Sequence, residues 1–295
     1  MSDRKESSRR STAKMDGQSA TLVRMDSKIF DRFSEFIKDE LGIKMPSSKK
    51  TLLEARLQKR LRVLCMATHE EYCEYLFSPA GMEEELPHLV DVVTTNTTDF
   101  FREPKHFEIL TSTILPELYR RGGSGQRVNI WSAGCSSGEE PYTLSMVLSE
   151  FARNNVGFTF SILATDISTQ VLRMAVRAVY PETKIAPIPK DCCKRYLLRS
   201  KDRTRRLVRI APEARNHVRF RRLNFMEEFR FDGQLDVIFC RNVVIYFDRA
   251  TQEVLFSRFC KKLVPGGYLF IGHSESLAGM TLPLVQVAPT VYKRI

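Results

Sequence analysis

Several shortages in this 295-residue sequence exclude chemistry before any motif is considered. The seven cysteines (Cys65, Cys73, Cys135, Cys192, Cys193, Cys240 and Cys260) are odd in number and scattered, without a C-x-x-C pair or a histidine at metal-ligand spacing. Neither a disulfide framework nor a zinc site is expected, and no metal is assigned. No apolar run approaches the roughly 18 residues that cross a bilayer. The first twenty residues are polar and charged, with no apolar core of a signal peptide, so a cytoplasmic location is the expectation. RNA-binding aromatic signatures, zinc fingers and long Lys/Arg tracts are missing, which argues against a nucleic-acid partner. No internal repeat, heptad or surplus apolar stripe is present, and a monomer is expected.

What is present is an ordinary globular composition with a basic excess. Hydrophobic residues make up 43%, enough for a large core, and 46 basic residues against 35 acidic ones leave a net charge of +11. That charge calls for an acidic partner, which charge alone does not identify. Residues 1–20 are Ser-, Arg- and Lys-rich without periodicity, the composition of a disordered tail. Helical periodicity then predicts one helix through Ile29–Leu41 and another after Pro46, crowded with Lys49, Lys50, Arg56, Lys59, Arg60 and Arg62. Helices at His69–Phe77 and Met82–Val93 complete an all-helical unit ending near Thr95.

The stretch Asn129–Leu144, NIWSAGCSSGEEPYTL, reads as a strand, a tight turn of small residues and a helix start at Glu139. In an open α/β sheet that arrangement stands at a strand's carboxyl end, where ligands bind. No Lys-Ser or Lys-Thr follows Gly138, which removes a phosphate-binding P-loop, and the dinucleotide fingerprint lacks its third glycine. Glu139 and Glu140 stand where a pyrophosphate would dock, and like charges repel it. A sulfonium ligand such as S-adenosylmethionine suits the site; a plain βα turn with acidic residues at a helix N-terminus remains the alternative.

Asp166 ends a second predicted strand, Phe158–Ala164, where doubly wound sheets place a carboxylate on ribose hydroxyls. Leu235–Cys240 predicts another buried strand that runs into Arg241 and Asn242, and Tyr268–Ile271 a further one, followed by a C-terminal hairpin. Arg205–Ile210 and His217–Arg222 read as two basic strands of a small antiparallel insertion. His273, Ser274 and Glu275 do not make a triad, because three consecutive side chains cannot converge on one point and no G-x-S-x-G elbow surrounds them.

TTNTTDFFREPKHF, WSAGCSSGEEPYTL, ATDIS, LNF and FCRNVVIYFD, in that order after a basic helical unit, resemble the CheR-type chemotaxis receptor methyltransferases from about Leu22 onward. The loop AGCSSG and the glycine-free basic stretch RSKDRTRRLVR depart from the family pattern. The resemblance implies an α/β class I S-adenosylmethionine methyltransferase, Rossmann-like, with a mostly parallel sheet, a C-terminal antiparallel strand and a small antiparallel β-subdomain, preceded by an all-helical domain. It divides the chain into a tail (1–20), a receptor-docking domain (21–95), a linker and helix contributing to the active site (96–125) and a methyltransferase domain (126–295, with about 199–223 inserted). It also implies methyl transfer to glutamate side chains on the cytoplasmic domain of chemoreceptors, with S-adenosylhomocysteine as product and membrane contact only through the receptor.

Asn96, Thr98, Arg102, Gly134, Glu139, Asp166, Asn224, Phe225, Arg241, Asn242 and Val243 should then surround the cofactor, with Asp166 on the ribose and Asn224 and Phe225 at the adenine. Arg102 and Tyr246 are the expected catalytic groups at the substrate carboxylate, and Lys49, Arg56, Lys59 and Arg60 the receptor-docking face. A glutamate is already ionised near neutral pH, so no general base is required. Two other readings are a methyltransferase acting on RNA or a different protein, and a non-catalytic module that senses the cofactor.

Overall fold

The computed structural model describes residues 23–122, 125 and 127–295. The expected tail and most of the glycine-rich break before the first strand, Gly123 and Ser124 included, lie outside the described residues.

Five helices form the N-terminal unit: α1 (Ser27–Leu41), α2 (Lys50–Val63), α3 (His69–Leu76), α4 (Pro79–Glu84) and α5 (Leu86–Val93). Local chemistry sets their ends. The Asp26 side chain accepts from the Lys28 N–H to start α1, and Gly42, at φ +72°, returns its N–H to the Lys38 carbonyl to stop it. The single helix expected over Met82–Val93 is two, because Pro87 can stand only in a first helical turn and α5 therefore restarts there. Phe33, Ile37, Leu53, Leu57, Tyr72 and Leu89 make the core of this unit.

A linker leads to α6 (Pro104–Ile109), which continues through a π turn into α7 (Leu115–Gly122). The remaining helices are α8 (Glu139–Asn154), α9 (Thr169–Arg177), α10 (Lys190–Tyr196), α11 (Pro212–Arg215) and α12 (Arg249–Lys262). The strands are β1 (Arg127–Ala133), β2 (Thr159–Asp166), β3 (Val179–Pro181), β4 (Leu197–Arg199), β5 (Leu207–Ile210), β6 (Val218–Arg222), β7 (Leu235–Cys240), β8 (Leu263–Ile271), β9 (Leu284–Ala288) and β10 (Val291–Arg294).

Seven strands make the main sheet in the order β6-β2-β1-β7-β8-β10-β9. β10 alone runs against the others, pairing antiparallel with both β8 and β9. Apolar residues cover both faces, as buried parallel strands require: Ile130, Ile162, Phe239 and Phe270 pack under α6 and α7, while Trp131, Ile238 and Leu269 pack against α12. The chain leaves β1 toward opposite sides at β2 and β7, which opens a crevice at their carboxyl ends.

The inserted subdomain differs from the expected one. The small sheet is β3-β5-β4, so it begins near Val179 and ends before α11. Residues 218–222 instead add a parallel edge strand to β2. The alternation explains the misplacement: Val218 and Phe220 pack toward the core, while Arg219, Arg221 and Arg222 are exposed. Outward charge protects a sheet edge from unwanted pairing. In the sequence it resembles a separate basic hairpin.

Candidate active site

One cavity collects the carboxyl ends of β1, β2 and β7, and α2 covers it from above. Gly134 and Ser136 follow β1, Asp166 ends β2, and Arg241, Asn242 and Val243 follow β7. Asn224 and Phe225 come from the segment after β6, Asn96, Thr98 and Arg102 from the linker, and Tyr246 from the turn beyond Val243. All twelve line the same hollow, and all but Ser136 were identified in the sequence. Glu139 does not.

The floor is a set of side chains bonded to one another. Glu140, buried, accepts from Ser132 Oγ at 2.7 Å and from Arg241 Nε at 2.7 Å. The Arg241 guanidinium also donates to the Arg102 carbonyl at 2.7 Å and faces His106 Nδ1 at 3.2 Å and Glu103 Oε2 at 3.5 Å. Burial first, and then the Arg241 charge, hold the His106 imidazole down to about 4. It is therefore neutral near pH 7 and free to accept from Arg241.

Asp166 is 8% exposed and takes the backbone N–H groups of Ser136 at 2.8 Å and Ser168 at 3.0 Å. Burial raises its pKa, while those hydrogen bonds act in the opposite direction. Gly134, at φ +84°, forms part of the crevice wall; a Cβ there would stand 2.5 Å from Val243 Cγ2. Phe101, Glu103, Ser136 and Asn242 also adopt positive φ, between 47° and 58°, around the cavity. Backbone strain of that kind concentrates where a site must be held in one shape.

Glu139 lies on the other side of its helix. It is 2% exposed, accepts from Ser137 Oγ at 2.6 Å and is 3.7 Å from Lys184 Nζ, away from the crevice. Successive helical residues point about 100° apart, so only one member of the Glu-Glu pair can face the ligand. Glu140 lines the crevice, and Glu139, the residue expected there, does not. Asn224 has both ends of its amide engaged, donating to the Glu40 carbonyl at 2.8 Å and accepting from the Met226 N–H at 3.0 Å. Its side chain holds the adjoining turn against α1.

The mouth is different. Arg102 is half-buried, and its one hydrogen bond is to the Thr97 carbonyl at 3.1 Å; no carboxylate pairs with it among the described residues. Tyr246 offers a hydroxyl without a hydrogen bond among the described residues, and Lys49 Nζ lies 5.7 Å from its ring centroid. The four expected docking residues separate accordingly. Lys49 lines the cavity and Lys59 is exposed. Arg56 turns inward to the carbonyls of Val92, Val93 and Thr94, at 3.1, 2.9 and 3.2 Å, at the end of α5. Arg60 binds the buried Glu85 carboxylate, which Tyr72 also reaches at 2.9 Å. Uncapped carbonyls at a helix end and a buried acid attract guanidinium groups, so these two arginines do not form a free basic face.

Sequence reasoning left out Ser136 and Glu275, and it named Glu140 beside Glu139 without carrying it into the cofactor set. The second glutamate of GEE was detectable only by choosing a helix face, and Glu275 stood inside a segment read as a rejected triad. The residues present suit S-adenosylmethionine: Asp166 has oxygen lone pairs left for a diol, and the glycine at position 134 leaves room where any side chain would strike Val243.

Comparison with known proteins gives concordant matches. Residues 96–292 match the family model described as CheR methyltransferase, SAM binding domain. Residues 28–94 match that described as CheR methyltransferase, all-alpha domain. The chain is 41% identical over 271 residues to a chemotaxis protein methyltransferase of Borreliella burgdorferi, covering 90% of this chain and 94% of that one. It is 40% identical over 246 residues to a probable chemotaxis protein methyltransferase of Rhizobium etli, covering 82% and 90% respectively. The chemotaxis protein methyltransferase of Escherichia coli is 34% identical over 283 residues, at 94% and 96% coverage.

Proposed function

This chain belongs to the CheR methyltransferase family and is an S-adenosylmethionine-dependent methyltransferase of chemotaxis; from that premise we propose that it methylates glutamate side chains on the cytoplasmic helices of chemoreceptors. The products are a glutamate methyl ester and S-adenosylhomocysteine. One observation carries this reading: Arg102, Lys49 and Tyr246 line the crevice with no anionic partner among the described residues, and none of them is tied up, as Arg56 is, on a row of carbonyls. They form a receptor for a visiting carboxylate.

The cofactor supplies an activated methyl on a positively charged sulfur. The residues of the chain do the rest. Asp166 would hold the ribose hydroxyls, and Phe225 and the backbone beside Asn224 would bound the adenine. The Arg102 fork takes one oxygen of the incoming carboxylate and leaves the other free to attack, and the Tyr246 hydroxyl fixes its orientation. Glutamate arrives ionised, so no side chain has to remove a proton. Opposite charges disappear in the displacement, and the roof formed by α2 favours it by excluding water and aligning the reactants. Lys59 on the outer face of α2 supplies part of the attraction for an acidic receptor bundle.

No described helix is long and apolar enough to cross a membrane. We place the enzyme in the cytoplasm as a monomer that meets the membrane only through its receptor. Incubation with methyl-labelled cofactor and receptor-containing membranes tests the reading. Label on receptor protein that alkali releases as volatile methanol is the expected outcome; alkali-stable label, or label on nucleic acid, contradicts it.

A further inference from the structure

The turn beyond β7 makes an anion-binding concavity that the cofactor does not need. Asn242 has φ +58°, and Val243 follows in the right-handed region at φ −113°, ψ −48°. That succession turns the backbone N–H groups of Asn242, Val243 and Val244 toward one point, the arrangement that elsewhere cradles phosphates and carboxylates. Here an internal side chain fills it. Glu275 Oε1 accepts from the Val243 and Val244 N–H groups at 2.8 Å each, and Oε2 from Asn242 at 3.0 Å and Gly272 at 2.6 Å.

The carboxylate is 6% exposed and makes no ion pair among the described residues. Burying such a group costs free energy unless hydrogen bonds compensate it, and these four are the compensation. Burial pushes its pKa up, with the four N–H groups acting in the opposite sense. The contact is also close on the β8 side: a Cβ at Gly272 would stand 2.6 Å from Asn242 Nδ2 and 2.7 Å from its backbone nitrogen. Glu275 thus joins the ends of two neighbouring strands at the strained residue of the crevice wall.

We propose that Glu275 is a positioning residue that holds the Asn242–Val244 turn in its ligand-ready shape, and through it the Val243 side chain opposite Gly134. The acid does not touch the reacting atoms. By filling the concavity it also denies those N–H groups to a phosphate, so this wall favours a donor that carries no phosphate. The role is independent of which protein accepts the methyl group.

The test uses the full chain with Glu275→Gln and Glu275→Asp. Glutamine keeps the size but turns a donor toward N–H groups that need an acceptor; aspartate keeps both oxygens on a shorter stem. Titration with S-adenosylhomocysteine should show affinity reduced about tenfold or more in the glutamine variant, with partial recovery in aspartate. Amide exchange should lose protection at Asn242, Val243, Val244 and Gly272 while the β1 amides keep theirs. Unchanged affinity despite lost protection at the turn would overturn the proposal. So would a loss of protection spread equally over β1 and the turn, which marks general destabilisation; should the glutamine variant not fold, the same two readouts on the aspartate variant decide.

Discussion

The floor and the mouth of the crevice use the same residue types in opposite ways. On the floor, Arg241 is locked between Glu140, the Arg102 carbonyl and His106, Asp166 is held by backbone N–H groups, and Glu275 by four of them. At the mouth, Arg102 has one carbonyl and Tyr246 no hydrogen bond among the described residues. A satisfied network fixes one shape and suits a ligand that is the same at every turnover. Uncommitted donors suit a partner that arrives, reacts and leaves.

Substitutions should separate the two regions. The largest effect falls on the floor: Arg241→Ala leaves the buried Glu140 without its cation and should cost about 3–5 kcal/mol of stability in denaturant unfolding. A variant as stable as the parent would break the contrast. Acid should find the same weakness. His106 titrates near 4 in the folded protein, below its ordinary 6.5, so between those values the unfolded chain binds the proton and the folded one does not. Its contribution is complete above about pH 6.5 and is lost as pH falls toward about 4. Thermal melts across that window should show the loss, and His106→Gln should reduce it.

At the mouth, stability should stay and turnover should fall. Arg102→Ala is expected to lower turnover on receptor on the order of a hundredfold by misplacing the acceptor, with a smaller change in cofactor affinity and little change in unfolding midpoint. Tyr246→Phe removes one hydrogen bond to a charged group, worth roughly 1.5 kcal/mol or about tenfold in rate. Comparing single-turnover rates with S-adenosylhomocysteine affinity checks both, and turnover unchanged in both variants would remove their catalytic roles. The smallest effect belongs to Lys59→Ala, under about 1 kcal/mol in receptor association and shrinking as salt is added. Arg60→Ala on the same helix should instead lower stability, since it frees the buried Glu85.

Much of this contrast was legible as local pattern. The strand, turn and helix around Gly134 and the run of β7 into Arg241 are written in apolar blocks that stop at small or polar residues, and such blocks report strand ends directly. Facing is harder. Glu139 and Glu140 are adjacent letters, and only the helix's register against the sheet chooses between them. Arg56 and Arg60 looked like a charged face because their partners, carbonyls at the end of α5 and Glu85, lie 25 or more residues away. The small sheet was misplaced for a related reason: three-residue strands such as β3 carry too little periodicity to detect, while the arginines of β6 disguised a member of the main sheet.

A methyl ester on a receptor carboxylate is the product that separates receptor methylation from methylation of RNA or of a nitrogen. Purified protein, methyl-labelled cofactor and a chemoreceptor cytoplasmic fragment, with an equal amount of RNA in a parallel reaction, decide it in one measurement of label released by alkali. Volatile methanol from the receptor fragment alone, lost when Arg102 is replaced by alanine, is the predicted result. Label that survives alkali, or that appears on the RNA, would contradict it.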